Sequence, residues 1–243
     1  MDAGYTEWAP PVALRGAVSC LWARVTLGGE QADSLVLPDA CSDLIWQQGT
    51  GAHVAGPDTS AVAGRTPPDT VIFGVRFWPW AGGPTLGLPL SELRDQRVDL
   101  ADICPADARQ LPGSLTPELA LARLTGLAGR LVAESEPDSV ITETTRLLRD
   151  SGVRVEQVAD QAGISMRQLR RRCDAAVGYG PKTLQRVLKF QRFVRRIDAG
   201  HTDLAALAAD AGYADQAHLT RECGQLAGVT PAALARLRKA ASR

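Results

Sequence analysis

Two short runs hold the side chains with which a protein could read nucleic acid. One contains Arg167, Gln168, Arg170 and Arg171, the other Gln216, His218, Thr220 and Arg221. A guanidinium pairs through two hydrogen bonds with O6 and N7 of guanine or clamps a phosphate. A Gln amide reads adenine in the same bidentate way, and Thr suits a phosphate or a thymine methyl. Leu169 and Cys173 in the first run, and Leu219 and Cys223 in the second, fall on the opposite face at helical spacing. Ser165 and Asp215 stand where each helix needs an N-cap. The expected DNA-contact set is therefore Ser165, Arg167, Gln168, Arg170 and Arg171, with Asp215, Gln216, His218, Thr220 and Arg221.

These runs belong to a repeat. Val158 to Gly163 aligns with Leu207 to Gly212 at an offset of 49 residues. Leu169, Arg171, Cys173, Gly178 and Pro181 then match Leu219, Arg221, Cys223, Gly228 and Pro231 at an offset of 50. In each copy a short amphipathic helix (Val155, Val158, Ala162; Leu204, Leu207, Ala211) meets a turn glycine, Gly163 or Gly212, and then the second helix. This is a helix-turn-helix pattern, whose second helix presents side chains to the major groove. One copy alone is weak evidence, because helical hairpins abound in proteins that never meet DNA; two copies at matched spacing are stronger. Between them, Pro181–Ala199 carries an apolar stripe of Val187, Phe190, Val194 and Ile197 among Lys189, Arg192, Arg195 and Arg196. Such a helix would hold both units so that their second helices enter successive grooves, about 34 Å apart.

The charge distribution agrees. The 243 residues sum to zero formal charge, with 27 Lys and Arg against 27 Asp and Glu. Residues 1–150 hold 11 Arg and no Lys against 19 acids, a net of −8, whereas residues 151–243 hold 16 bases against 8 acids, a net of +8. A basic half is the electrostatic footprint of a phosphate-backbone binder. At 45% hydrophobic and 22% charged residues, the composition is that of a folded globular protein. The sequence shows no membrane-spanning run and no signal peptide at Met1–Tyr5, so a cytoplasmic location is expected. Cys20, Cys41, Cys104, Cys173 and Cys223 are scattered and odd in number, and His53, His201 and His218 share no ligand spacing, so neither disulfides nor a metal site is expected. With no nucleophile elbow, zincin motif or dinucleotide fingerprint, no catalytic residue and no cofactor is assigned. Gly178 to Thr183 resembles a phosphate loop, but Pro181 stands where such a loop needs an N–H.

The first hundred residues read as β-rich. Strands are expected at Val18–Thr26, Ser34–Pro38, Asp43–Gln47 and Val71–Trp78, in a small barrel or sandwich. Gly49–Pro68 reads as turns and a long loop, and Leu90–Gln96 as a short helix. Two helices are expected at Pro117–Glu134 and Asp138–Ser151. All five tryptophans lie within the first 80 residues. Trp22, Trp46, Trp78 and Trp80, with Arg76, form a candidate effector pocket; core packing, with Asp39 or Asp43 pairing Arg76, is the alternative.

The segment from about Val153 to Arg238 resembles the AraC-type transcriptional regulators. The resemblance rests on Gly212-Tyr213-Ala214-Asp215-Gln216-Ala217-His218-Leu219-Thr220-Arg221, on Gly228-Val229-Thr230-Pro231, and on the first-copy counterpart Gly178-Tyr179-Gly180-Pro181. It departs at Cys173 and Cys223, where the family usually carries Phe, and at Gly224. Leu37–Trp46, Ala55–Pro57 and Gly74–Phe77 resemble an uncharacterised domain often found before such modules. The resemblance implies a bacterial, sequence-specific regulator of transcription, more often an activator, with duplex DNA as partner. RNA polymerase, a small-molecule effector and a second copy of the chain are further candidate partners. The expected organisation is α+β: a β-rich regulatory domain at 1–112, a helical linker at 113–152, and an all-α, seven-helix module at 153–240 with two helix-turn-helix units. Two alternatives stay open: a thiol sensor of alkylation or oxidation built on Cys20 or Cys41, and a protein-interaction adaptor that binds no DNA.

Overall fold

The computed structural model describes residues 3–29, 31–149 and 152–241, with residues 240 and 241 described by backbone alone. Eight strands are formed among the described residues: β1 (Gly4–Trp8), β2 (Val18–Val25), β3 (Ala32–Val36), β4 (Ser42–Gln47), β5 (Gly51–Ala55), β6 (Val62–Thr66), β7 (Val71–Phe77) and β8 (Arg97–Asp99). Six make an antiparallel sheet in the order β1-β2-β7-β4-β5-β8, and β3 pairs with β6 in a separate two-stranded ribbon. The segment 49–68, in which turns and at least one long loop are expected, also contains β5 and β6. Gly51 and Gly64 weaken local strand propensity there, and pairing with β4 and β3 overrides it.

The period of two sorts the sheet into two faces. One carries Leu21, Ala23, Leu44, Trp46, Val54, Phe73, Val75 and Phe77, all buried, and forms the N-terminal core. The other carries Cys20, Trp22, Asp43, Ile45 and Arg76. Gly74 on that face is required: a Cβ there would lie 2.0 Å from the Trp22 ring.

Two short helices follow the sheet's main strands, α1 (Gly82–Leu86) and, after β8, α2 (Leu100–Ile103), with α3 (Pro105–Ala108) next. Leu90–Gln96 is not a helix but a single 3-10 turn at Leu90–Glu92, and Asp95 has φ +57°, which ends any helical path. Then come α4 (Pro117–Ala133) and α5 (Ser139–Leu148), the latter capped by Asp138, which accepts from the Val140 N–H. Ser151, the expected end of the second of these helices, lies outside the described residues.

The segment 113–152 divides between two cores. Ala120, Leu124 and Ala128 of α4 pack on the N-terminal sheet, whereas Ile141 and Leu148 of α5 join the C-terminal helices. Those helices are α6 (Val155–Gln161), α7 (Met166–Val177), α8 (Pro181–Asp198), α9 (Leu204–Ala211), α10 (Gln216–Ala227) and α11 (Pro231–Ala241). With α5 they make the seven helices expected, the first of which comes from the segment read as linker. The bilobal α+β architecture is the expected one, with a β-rich N-terminal part and an all-helical C-terminal part. No helix of the described residues is long and apolar enough to cross a membrane.

Candidate nucleic-acid interface

The two helix-turn-helix units are α6–α7 and α9–α10, and their second helices are built alike. Ser165 caps α7: its hydroxyl accepts from the Gln168 N–H at 3.3 Å while Gln168 Oε1 accepts from the Ser165 N–H at 2.9 Å, a reciprocal capping box. Asp215 caps α10, accepting from the His218 N–H at 2.6 Å. Leu169, Cys173, Ala176 and Val177 are the buried residues of α7, and Leu219, Cys223, Leu226 and Ala227 those of α10. Gly178 (φ +90°) and Gly228 (φ +71°) end the helices in the left-handed region. The cysteines that replace the family's usual Phe are wholly buried, and burial pushes their thiols up, Cys173 to about 12 and Cys223 to about 11.

This packing leaves the polar runs outward. Arg167, Gln168, Arg170 and Arg171 are exposed on α7, as are Gln216, Thr220 and Arg221 on α10. Arg170 lies 3.6 Å from Asp174, a loose surface pair. Arg172, by contrast, faces Asp138 at 3.3 Å and ties α7 to the start of α5. Gln168 is committed to the capping box, and Ser165 and Asp215 serve as caps, so these three shape the helix starts. His218 is half-buried, its ring edge-on to Tyr213 at 5.3 Å, with Nδ1 accepting from the Ala214 N–H at 3.4 Å. Thr220 donates its hydroxyl to the Gln216 carbonyl at 2.8 Å, which turns its methyl away from that bond.

Between the units, α8 is a buried strut whose Leu184, Val187, Phe190, Phe193, Val194 and Ile197 face the core. Its polar residues tie both sides together. Gln185 donates to the Val153 carbonyl, Arg186 pairs with Glu222 at 2.8 Å, and Arg192 donates to the Ala211 and Arg149 carbonyls.

The five candidate effector residues do not gather around one cavity. Trp46 is fully buried, stacked on Phe73, and donates to the Pro112 carbonyl. Trp22 donates to Asp43 at 2.6 Å. Arg76 has protein partners: Asp43 at 3.2 Å, Glu7 at 3.3 Å and Asp39 at 3.5 Å. Burial alone would lower the Arg76 guanidinium, but Asp43 and Asp39 hold it well above its ordinary value. Trp78 and Trp80 stack at 5.2 Å beneath the Arg149 guanidinium, which lies 4.7 Å from the first ring. A cleft of about 250 Å³ lies elsewhere, along α4 at Arg123, Leu127 and Arg130, and another of about 200 Å³ lies at Arg154, Gln185 and Lys189. Burial pushes the Cys20 thiol up to about 12 and Cys41 well above its ordinary value, the direction that disfavours the thiolate. Among the described residues no cluster of three His, Cys, Asp or Glu could hold a metal ion.

Sequence reading missed the contacts between the two halves. Arg94 donates to the Gly178 carbonyl, the Ala61 N–H to the Leu226 carbonyl, and Gln191 to the Pro38 carbonyl. No local pattern signals such contacts, since each partner lies 84 or more residues away.

Comparison with known proteins bears on both halves. Residues 158–237 match the family described as a helix-turn-helix domain, and residues 6–99 match a domain of unknown function, DUF6597. Among curated proteins nothing matches the chain. Solved structures of ToxT from Vibrio cholerae are similar at a low level. ToxT from strain O395 has 10% identity and a TM-score of 0.47 over 88% of this chain and 96% of its own. An unsaturated fatty acid-bound ToxT from strain SCE256 has 9% identity and a TM-score of 0.42 over 88% and 93%. Residues 6–99 thus carry a DUF6597 domain and residues 158–237 a helix-turn-helix domain.

Proposed function

We propose that this protein regulates transcription by binding a specific duplex site, with α7 and α10 in successive major grooves. The observation that carries the reading is the pair of matched helices. Caps, buried residues and C-terminal glycines recur at equivalent positions, while the residues left outward are those able to pair with bases and phosphates. Arg167 and Arg171 contact guanine or phosphate, Gln216 adenine, Thr220 a thymine methyl, and Arg221 guanine or phosphate. The partition of domains is a regulatory part at 1–112 and a DNA-binding part at 153–240, with α5 packed into the latter.

Selection of bound sequences from a genomic fragment library, followed by footprinting, tests this. A protected site is expected to span two major-groove segments one helical turn apart. Arg171→Ala or Arg221→Ala should each weaken binding to that site by about 1–3 kcal/mol. No protected site at moderate salt would refute the reading. The family resemblance favours activation through RNA polymerase, so transcription in vitro from a promoter carrying the site should rise when the protein is added; a fall would make it a repressor.

A further inference from the structure

The N-terminal part touches both helix-turn-helix units, near the C-terminal end of each second helix. Its segment Gly56–Ala61 is pinned from below. Asp58 is held by both terminal nitrogens of Arg97, at 2.9 and 2.7 Å. Asp95 accepts from the Thr59 N–H at 2.7 Å and from its hydroxyl at 2.9 Å. The Asp95 N–H in turn donates to the Pro57 carbonyl, and the Gly56 N–H to the Gln96 carbonyl. Gly56 admits no side chain, because a Cβ there would fall 1.8 Å from the Leu93 carbonyl oxygen. The segment is a rigid strap.

One end of the strap reaches α7 and the other reaches α10. A Cβ at Gly178, the C-cap of α7, would lie 2.5 Å from Pro57 Cγ, and Arg94 Nε donates to the Gly178 carbonyl at 2.7 Å. At the other end, the Ala61 N–H donates to the Leu226 carbonyl, in the last turn of α10, at 2.7 Å. Leu226 is the repeat counterpart of Ala176, two residues before Gly178. The last carbonyls of a helix have no partner within it, and a cation is favoured there by the helix dipole. The N-terminal part thus supplies a donor at the C-terminal end of each outward helix. A Cβ at Gly83 would lie 2.7 Å from the Ala175 carbonyl oxygen, so α1 also meets the end of α7 backbone to backbone.

The strut α8 runs between the units as one line of attachment, with both packed into the same core. The strap is a second connection away from that line. We propose that Arg94 and the strap Gly56–Ala61 are positioning elements for DNA reading: they hold the ends of α7 and α10 at one separation and so set the half-site spacing the protein accepts. This rests on the reading of α7 and α10 as groove-binding helices. One extra base pair moves a half-site by about 3.4 Å and about a tenth of a turn, a displacement that a two-point hold resists.

Two variants of the full chain test it. Arg94→Ala removes the guanidinium on α7, and Ala61→Pro removes the N–H on α10. Binding is measured on the selected site and on the same site with one base pair inserted between its halves. The wild-type chain should lose about tenfold on the inserted site, and each variant less than about threefold. Arg94→Lys, which keeps a donor, should restore the discrimination. A role in stability alone would weaken both sites equally. In parallel, the distance between labels at positions 170 and 221, introduced as non-natural amino acids, is measured without DNA and should broaden in the variants. Variants with wild-type discrimination, or with an unchanged label distance, would overturn the inference. Absence of any specific site in the wild type would instead refute the proposed function, while the label distance would still decide the strap.

Discussion

The two helix-turn-helix units share a skeleton and differ in what they show to solvent. In α7 and α10 the buried residues, the N-caps and the C-terminal glycines coincide at an offset of 50 residues. Outward, α7 offers three arginines, Arg167, Arg170 and Arg171, whereas α10 offers one, Arg221, beside Gln216 and Thr220. The buried positions recur, and two of the four pairs, Leu169 with Leu219 and Cys173 with Cys223, keep the same residue, as a core that tolerates little change in volume favours. What faces outward is free to differ because it answers only to the partner. Under the function proposed above, the first unit would favour phosphate and guanine and the second mixed base reading. Their surroundings differ as well: Gly178 is enclosed by Pro57 and the Leu90 carbonyl, while among the described residues nothing lies within 4 Å of a Cβ at Gly228.

That last contrast makes the largest prediction. Gly178→Ala should destabilise the chain by about 3 kcal/mol, combining left-handed backbone strain with overpacking against Pro57. Gly228→Ala should cost only about 1 kcal/mol, the strain alone. Urea denaturation of both variants would measure this, and equal losses would show that the enclosure of the first unit has no energetic weight.

The caps should behave alike. Ser165→Ala and Asp215→Ala should each cost about 1 kcal/mol, because each leaves one N–H at the helix start without its acceptor. A much larger loss at either cap would break the equivalence of the two units at their N-terminal ends.

The buried thiols sharpen the comparison through pH. An unfolded thiol ionises near 9.0, whereas Cys173 and Cys223 in the fold are held at about 12 and about 11. Their contribution to stability is fully present below pH 9 and is lost as pH rises from there through the folded values, since the unfolded chain releases its protons first. At pH 10 each should contribute about 1 kcal/mol of destabilisation relative to pH 7. Denaturation of Cys173→Ala and Cys223→Ala at both pH values checks it: each variant should lose less stability between them than the wild type does.

How much of this was legible in the sequence differs between the halves. The helical half repeats, and its period of 3.6 placed Leu169, Cys173, Leu219 and Cys223 inward and the arginines outward from local spacing alone. Ser165 and Asp215 were recognisable as caps for the same reason, since a cap acts on a backbone N–H only three residues away. The β-rich half was read less fully. The expected strands at 18–26, 34–38, 43–47 and 71–78 correspond to β2, β3, β4 and β7. By contrast, β5 and β6, with a glycine in each, looked like loop until their partners supplied the pairing. The tryptophans announced a cluster but not its nature: a polar N–H buried in a core and one facing a ligand look the same in a sequence.

The sequence by itself determined the charge split, the twofold repeat, the helix boundaries near Ser165 and Asp215, and the side chains left outward on α7 and α10. All of these follow from residue type and spacing within one or two turns of chain. Only the tertiary structure decided that α5 joins the helical core and α4 the sheet, and that Asp43, Asp39 and Glu7 share Arg76. It also decided that a strap between β5 and β6 spans the ends of α7 and α10. Those contacts join residues that are mostly 30 to 165 positions apart, and no local pattern encodes them. They exist because burial of two apolar cores brings distant backbone donors and acceptors together, where each must find a partner.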